Sequence, residues 1–377
     1  MSVAVVIPLY NHERFIAGAL RSVLEQTRPP ERVIVIDDGS TDGSLEAARS
    51  AADGRVTVVS QQNAGAHAAL NRGIGMAADA EFVGILNSDD LYEPGRIERC
   101  MRFLEDKPGT AAVVTRYRII DAAGSIPGEE DARVKWMRSV WEARRESLPA
   151  WLGIANFAKT TSNLFGRAEY FREHPFRAYR YVHDYYFALE AALTGRLAVL
   201  DEELLRYRVH DSNTIKSGPS ENLPREVLRM NVDLLRAFAP VLEKDAEVRA
   251  RFADFFRELC RNYADFRLEP FLWLVAASNG MEELCESIDA VRFPELAGGK
   301  SRALRELMAQ GVYERAIESL AASRWMALGR LMGVGPAILN DAATAEGKLA
   351  ALRKACERSR WFKLGERLGL LYRDWEM

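Results

Sequence analysis

Cysteine is scarce in this sequence and never paired. Cys100, Cys260, Cys285 and Cys356 lie far apart, with no Cys-x-x-Cys among them. A zinc ribbon or a disulfide frame needs thiols at short, regular spacings, so the pattern excludes both and fits reduced, buried thiols in a cytoplasmic protein. The N-terminus lacks the basic start and longer apolar core of a secretory signal, since the short apolar run within Met1–Tyr10 already meets Pro8. Long apolar runs are missing as well. The longest later one, Phe271–Ala277, is far too short to span a bilayer. Excess charge is also absent: the net value of -3 excludes a polyanion binder, and no nucleic-acid partner is expected. No Walker-type loop occurs, and no Gly-rich loop with Arg and Lys follows the first strand, which argues against a nucleotidyltransferase. Gly73-Ile74-Gly75-Met76-Ala77-Ala78 loosely fits a dinucleotide fingerprint but follows a helix and precedes a strand, the wrong context.

What is present is an ordinary globular balance, 48% hydrophobic and 28% charged residues over 377 positions, long enough for two domains. The first third alternates strand and helix signals. Val3–Pro8, Arg32–Ile36, Val56–Ser60 and Phe82–Leu86 are short, largely aliphatic runs of the kind that form buried strands. Between them Phe15–Gln26, Ser44–Ala52 and Ala66–Ala78 carry helical spacing. Such alternation predicts an α/β fold, a mostly parallel sheet flanked by helices with right-handed crossovers. Ligands of such sheets bind beyond the carboxyl ends of the strands. Three of those ends carry polar groups, namely Pro8-Leu9-Tyr10-Asn11, Asp37-Asp38 and Asn87-Ser88-Asp89-Asp90, and they are expected to converge on one crevice.

Further along, Lys135–Glu146 and His183–Thr194 read as helices, and Thr160–Gly166 and Arg196–Leu200 as strands. Lys216–Pro224 is rich in Gly, Pro and Ser and reads as a boundary. The expected organisation is a catalytic domain over 1–215, a linker over 216–224 and an all-helical C-terminal domain over 225–377. Within the last, Lys300–Met377 holds 14 Lys and Arg against 9 Asp and Glu, and Ser323-Arg324-Trp325-x-x-Leu328-Gly329 recurs as Ser359-Arg360-Trp361-x-x-Leu364-Gly365. These helices are open to a membrane surface at its inner face, a second copy of the chain, or the acceptor.

The motifs at the strand ends look like the ordered signature of family 2 glycosyltransferases with the A-type fold. They are Val5-Val6-Ile7-Pro8-Leu9-Tyr10-Asn11, Val35-Ile36-Asp37-Asp38-Gly39-Ser40-Thr41-Asp42, Gln62-Asn63-Ala64-Gly65 leading to Asn71-Arg72-Gly73, and Leu86-Asn87-Ser88-Asp89-Asp90. The resemblance covers about residues 1–215. It implies transfer of a sugar, with inversion, from a nucleotide-sugar donor (UDP first) to a hydroxyl of a glycan or lipid-linked acceptor, with Mn2+ or Mg2+ as cofactor. It places Pro8, Tyr10, Asn11, Asp37, Asp38, Asn63, Asn71, Asn87 and Ser88 on the nucleotide, with Asp38 on the base and Asn87 at the ribose. Asp89 is the first choice for the metal and Asp90 the reserve. His210, in Tyr207-Arg208-Val209-His210, resembles the histidine that approaches the metal or diphosphate. Asp184 resembles the general base, although His183 stands where the family has Glu and Asn87 where it has Asp. Thr160-Thr161-Ser162-Asn163 is expected to line the acceptor side. No Gln-x-x-Arg-Trp occurs, which favours single addition over processive synthesis. The rival reading is a nucleotide-sugar-binding scaffold that acts through its helical C-terminal half.

Overall fold

The computed structural model describes residues 1–214, 222–242 and 244–262. Its strands are β1 (Val3–Leu9), β2 (Arg32–Asp37), β3 (Val56–Ser60), β4 (Phe82–Ile85), β5 (Leu91–Tyr92), β6 (Ala112–Ile120), β7 (Phe165–Arg167) and β8 (Leu197–Arg208). The helices of the first half are α1 (Ile16–Leu24), α2 (Ser44–Ser50), α3 (Ala66–Met76), α4 (Arg96–Glu105) and α5 (Ala132–Glu142). Those of the second half are α6 (Leu148–Ile154), α7 (Ala168–Glu173), α8 (His183–Leu193), α9 (Asn222–Leu242) and α10 (Ala246–Asn262).

The strands form one sheet in the order β3-β2-β1-β4-β7-β6-β8-β5. The first four run parallel, as their aliphatic runs predict for strands covered on both faces. Val5, Val6, Ile7, Val33, Val35, Phe82 and Ile85 are fully buried. β7 then runs antiparallel to both β4 and β6, β6 and β8 pair in parallel, and β5 caps the edge antiparallel to β8. This places the carboxyl ends of β1, β2 and β4 side by side, with Leu9 opposite Asp37 and Val6 opposite Ile85.

Two expected strands are corrected. Thr160–Gly166 is not a continuous strand: Thr161–Asn163 form a 3-10 turn capped by the Thr160 hydroxyl, which accepts from the Ser162 N–H, and only Phe165–Arg167 pair into the sheet. Hydroxyl and amide side chains here bond to neighbouring loops instead of facing ladder partners. Arg196–Leu200 is the start of a longer strand that runs to Arg208. β6 was not expected, although Tyr117 and Ile119 are buried while Arg118 between them is exposed, the period-2 pattern of a strand.

Two compact units divide the chain, the first comprising Met1–Val241 with Asp245–Phe255. Within it α9 meets the segment before α8, where the Tyr179 hydroxyl donates to Asp233 at 2.6 Å. Phe238 of α9 and Phe252 of α10 pack with ring centroids 5.8 Å apart. The basic tail, the repeated Ser-Arg-Trp motif, Cys285, Cys356 and residues 216–221 of the expected linker lie outside the described residues. Among the described residues no helix is long and apolar enough to cross a membrane.

Gly73 explains part of one motif by packing alone. A Cβ there would lie 2.4 Å from Cγ1 of Val6 and 3.4 Å from that of Ile36, so α3 sits against β1 and β2 with no room for a methyl group. Gly73→Ala is expected to destabilise the protein by about 1–3 kcal/mol, the usual cost of overpacking a tight core. A fall in the urea midpoint at unchanged slope checks this, and an unchanged midpoint contradicts it.

Candidate functional site

The turns after β1 and β2 are tied together first. Asn11 adopts a left-handed backbone (φ 52°), a conformation asparagine tolerates. Its N–H donates to Ser40 Oγ at 3.0 Å, and its side-chain oxygen accepts from Thr41 N–H at 2.8 Å. Asp37 and Asp38 close the end of β2, both buried. Asp37 accepts from Ser60 Oγ and the Ser40 N–H. Asp38 accepts from Gln61 Nε2 at 2.8 Å and from the N–H groups of Ala64 and Gly65 at 2.9 and 2.8 Å. Two carboxylate oxygens offer about four acceptor sites, so Asp38 retains one beyond these three donors. Asn63 is exposed in the loop that Asp38 holds, Tyr10 is 46% exposed, and Pro8 is half-buried on β1 opposite Ile36.

The turn after β4 is held from the other side. The amide of Asn87 donates to Thr160 Oγ1 at 2.8 Å and accepts from Thr161 Oγ1 at 2.6 Å, so both of its ends are engaged. The buried Ser88 hydroxyl meets Nδ1 of His12 at 2.8 Å. Asp89 Oδ2 lies 3.0 Å from Nε2 of His210 and 4.0 Å from Nε2 of His12. One donor atom from each of His12, Asp89 and His210 falls within 4.8 Å of the others. Burial alone pushes Asp89 up, but the His210 hydrogen bond and the two nearby imidazoles outweigh it and hold the carboxyl below its ordinary value.

These residues fit a divalent cation. Two imidazoles and a carboxylate are all metal-ligating groups, and each offers a donor atom within reach of the others. The bond from Ser88 leaves Nε2 of His12 turned to Asp89, the outer-shell arrangement that orients ligating histidines. Nδ1 of His210 is buried without a partner among the described residues. His12 escaped the sequence reading; its signal was a histidine directly after a polar strand end.

Asp90 is placed elsewhere. It is fully buried, accepting from Ser162 Oγ at 2.6 Å and from the Arg208 N–H at 2.8 Å, while Arg208 Nε donates to the Asp89 carbonyl at 2.7 Å. Burial, and then the neighbouring Asp89 charge, push its carboxyl well above the ordinary range. It joins the loops but stands outside the His12–Asp89–His210 group. The amide of Asn71 is likewise spent: it donates to the Phe176 carbonyl and accepts from the Phe176 N–H, both at 2.8 Å, and so anchors the segment ahead of α8.

Asp184 stands in the first turn of α8, 6% exposed. Asn156 Nδ2 donates to it at 3.2 Å. Burial raises its pKa, an effect that His183, Asn156 and Lys159 only partly offset. His183 is turned to the Tyr179 carbonyl at 3.2 Å, and burial holds its imidazole below its ordinary value. Glu226 of α9 accepts from the N–H groups of Arg180, Tyr181 and Val182, the three that lead into α8. Tyr207 of β8 is buried within electrostatic reach of Asp89, Asp90 and Asp184, and burial followed by those charges drives its hydroxyl up. The group around Asp89 and the base candidate therefore both act electrostatically on one side chain. Asp38 joins them through the β2 turn, Asn11 and His12, whose N–H donates to Ser44 Oγ at 2.7 Å.

Removing the Asp90 carboxyl separates its two roles. Asp90→Ala leaves the Arg208 N–H and the Ser162 hydroxyl without their acceptor and is expected to cost about 1–3 kcal/mol. Asp90→Asn can accept from Arg208 and donate to Ser162 without a buried charge, so it is expected to cost much less. Urea unfolding of both variants checks the order, and equal losses contradict it.

Comparison with known proteins gives the family of the chain. The family model "Glycosyl transferase family 2" matches residues 4–175. An uncharacterized glycosyltransferase of Haemophilus influenzae is 30% identical over 240 residues, 61% of this chain and 73% of that protein. A second, from Nostoc sp., is 26% identical over 232 residues, 60% of this chain and 70% of its own length. The crystal structure of S. aureus TarS 1-349 superposes with a TM-score of 0.53 at 19% identity, covering 88% of this chain and 92% of that one, a likeness of fold. The chain thus belongs to family 2 of the glycosyltransferases and is a transferase enzyme.

Proposed function

We propose that this glycosyltransferase moves a sugar from a nucleoside-diphosphate donor, UDP first, onto an acceptor hydroxyl in one inverting step, with a divalent cation and without processive extension. Three physical demands have to be met: the nucleoside must be held, the departing diphosphate neutralised, and the acceptor hydroxyl deprotonated as it attacks. Asp38, Tyr10 and Asn11 at the ends of β2 and β1 are assigned to the nucleoside. His12, Asp89 and His210 are assigned to the cation, which when bound supplies Lewis-acid stabilisation of the diphosphate. Asp184 is assigned to the acceptor proton.

The observation that carries this reading is Asp184 itself. It is buried at the start of a helix and outside any ion pair among the described residues, and its hydrogen bonds from the Asn156 amide and the Tyr185 N–H leave part of its acceptor capacity free. A carboxylate so placed is more basic than in water, as a general base near neutral pH requires. Inversion follows from a single base acting on the acceptor oxygen as it displaces the diphosphate, with no enzyme nucleophile assigned to the opposite face. Absence of Gln-x-x-Arg-Trp supports single addition.

A thermal-shift panel of UDP-, GDP- and dTDP-sugars with and without Mn2+ identifies the donor, because a ligand of the folded state raises the midpoint by mass action. Asp184→Asn is expected to lower UDP release in the presence of acceptor by about 10²–10⁴-fold, the usual share of general base catalysis, with nucleotide affinity retained. Equal turnover in both proteins refutes the assignment. The pH profile has a definite sign. The base acts only when ionised and burial raises its pKa, so kcat/KM is expected to fall with decreasing pH along a limb lying above the value of about 3.9 for a free aspartate. A limb at or below that value, or one that survives in Asp184→Asn, contradicts the role.

A further inference from the structure

Lys159, near Asp184, is treated differently from several other cations of the chain. Arg133, Lys135, Arg138, Arg116 and Arg144 each face a carboxylate, namely Asp131, Glu130, Glu129 and, for the last two, Asp201. Lys159 has no carboxylate within 4.0 Å among the described residues. Its ammonium lies over the Trp136 ring at 4.3 Å from the centroid and 5.6 Å from that of Tyr207. Its backbone is left-handed, with φ at 70°, a costly conformation for a long side chain that persists only where the surroundings impose it.

What imposes it is Asn156. This residue accepts from the Lys159 N–H through its side-chain oxygen and donates to Asp184 through its amide, both at 3.2 Å. The lysine and the base are therefore mounted on one bracket. Trp136, 43% exposed, offers a flat apolar face next to the ammonium. An aromatic face beside a half-buried cation that has no carboxylate within 4.0 Å among the described residues is suited to a ring that stacks and carries a negative charge. Resting on the proposed role of Asp184, we propose that Lys159 and Trp136 form the acceptor subsite and that the acceptor sugar is anionic, carrying a carboxylate or phosphate near the hydroxyl that receives the transferred sugar. The diphosphate of the donor is the competing anion. It is already served by the His12–Asp89–His210 group, whereas Lys159 is bracketed to the residue that takes the acceptor proton. Burial holds the Lys159 ammonium below its ordinary pKa, the Asp184 charge offsets this only in part, and an incoming anion adds to that offset.

The test uses the full chain with its donor and three disaccharides of one core: neutral, terminated by a uronate, and phosphorylated. In the unaltered protein kcat/KM for one charged acceptor is expected to exceed that for the neutral core at least tenfold, and which one leads distinguishes carboxylate from phosphate. Lys159→Asn removes the ammonium while keeping a residue that tolerates φ > 0. It is expected to bring charged and neutral acceptors within twofold of each other, through KM, with the UDP dissociation constant from calorimetry changed less than twofold. Lys159→Arg retains a preference for the charged acceptor. The proposal is overturned by equal use of the neutral core, by transfer to none of the three despite donor binding, by a charge preference that survives Lys159→Asn, or by a tenfold loss of UDP affinity in that variant, which would assign the ammonium to the diphosphate. Failure of the unaltered chain to bind any nucleotide donor refutes the reading of the whole site instead, and this one with it.

Discussion

The architecture of the site depends on one buried carboxyl group, Asp90. Its oxygens gather the hydroxyl of Ser162 and the backbone of Arg208, and the Arg208 guanidinium returns to the Asp89 carbonyl. Three segments far apart in sequence are thereby fixed against each other: the turn after β4, the 3-10 turn before β7, and the end of β8. Only with that junction closed does His210, two residues beyond Arg208, reach Asp89. Burying a polar group is unfavourable unless its hydrogen bonds are satisfied, so the junction is closed correctly or not at all. A group that takes no part in the proposed chemistry thus decides whether the groups assigned to it meet.

The two carboxylates assigned to chemistry are driven in opposite directions by their surroundings. Asp89 lies among imidazoles that favour its ionised form. Asp184 is buried, and its burial outweighs the Tyr185 N–H, the Asn156 amide and the nearby cations, so its pKa is raised. Holding two acids at different basicities within one cleft is how a fold divides charge stabilisation from proton transfer. Tyr207 feels both charges and adds none of its own, since burial keeps its hydroxyl protonated.

Much of this was legible in the sequence, for identifiable reasons. Aliphatic runs flanked by helical spacing define β1 to β4, because a parallel sheet covered on both faces leaves that pattern and few others. The polar residues that end those strands lie along one edge because topology forces carboxyl ends together. The site beyond the first half was harder to read. Thr160–Gly166 looks like a strand in propensity, yet its hydroxyls are recruited by Asn87 and Asp90 across more than 70 residues of sequence. Asp89 and Asp90 are adjacent acids that only the resemblance ranks; the physical difference arises from Arg208, Ser162 and His210. His12 and Lys159 carry no motif, and their significance comes from neighbours that only folding supplies. Asn71, expected on the nucleotide, holds the backbone at Phe176 with both ends of its amide.

Glu226 extends this dependence past the segment that resembles the family. Its carboxylate collects three N–H groups at the entrance to α8, one turn from Asp184, yet it resides on α9, well beyond the stretch matched by the family model. A negative charge at that end of a helix also complements the axial dipole. A fragment ended at residue 215, where the likeness of the motifs stops, would keep Asp184 and His210 and lose the clasp that seats the helix of Asp184. For anyone shortening this protein, the useful boundary is drawn by an electrostatic tether and not by the extent of sequence likeness.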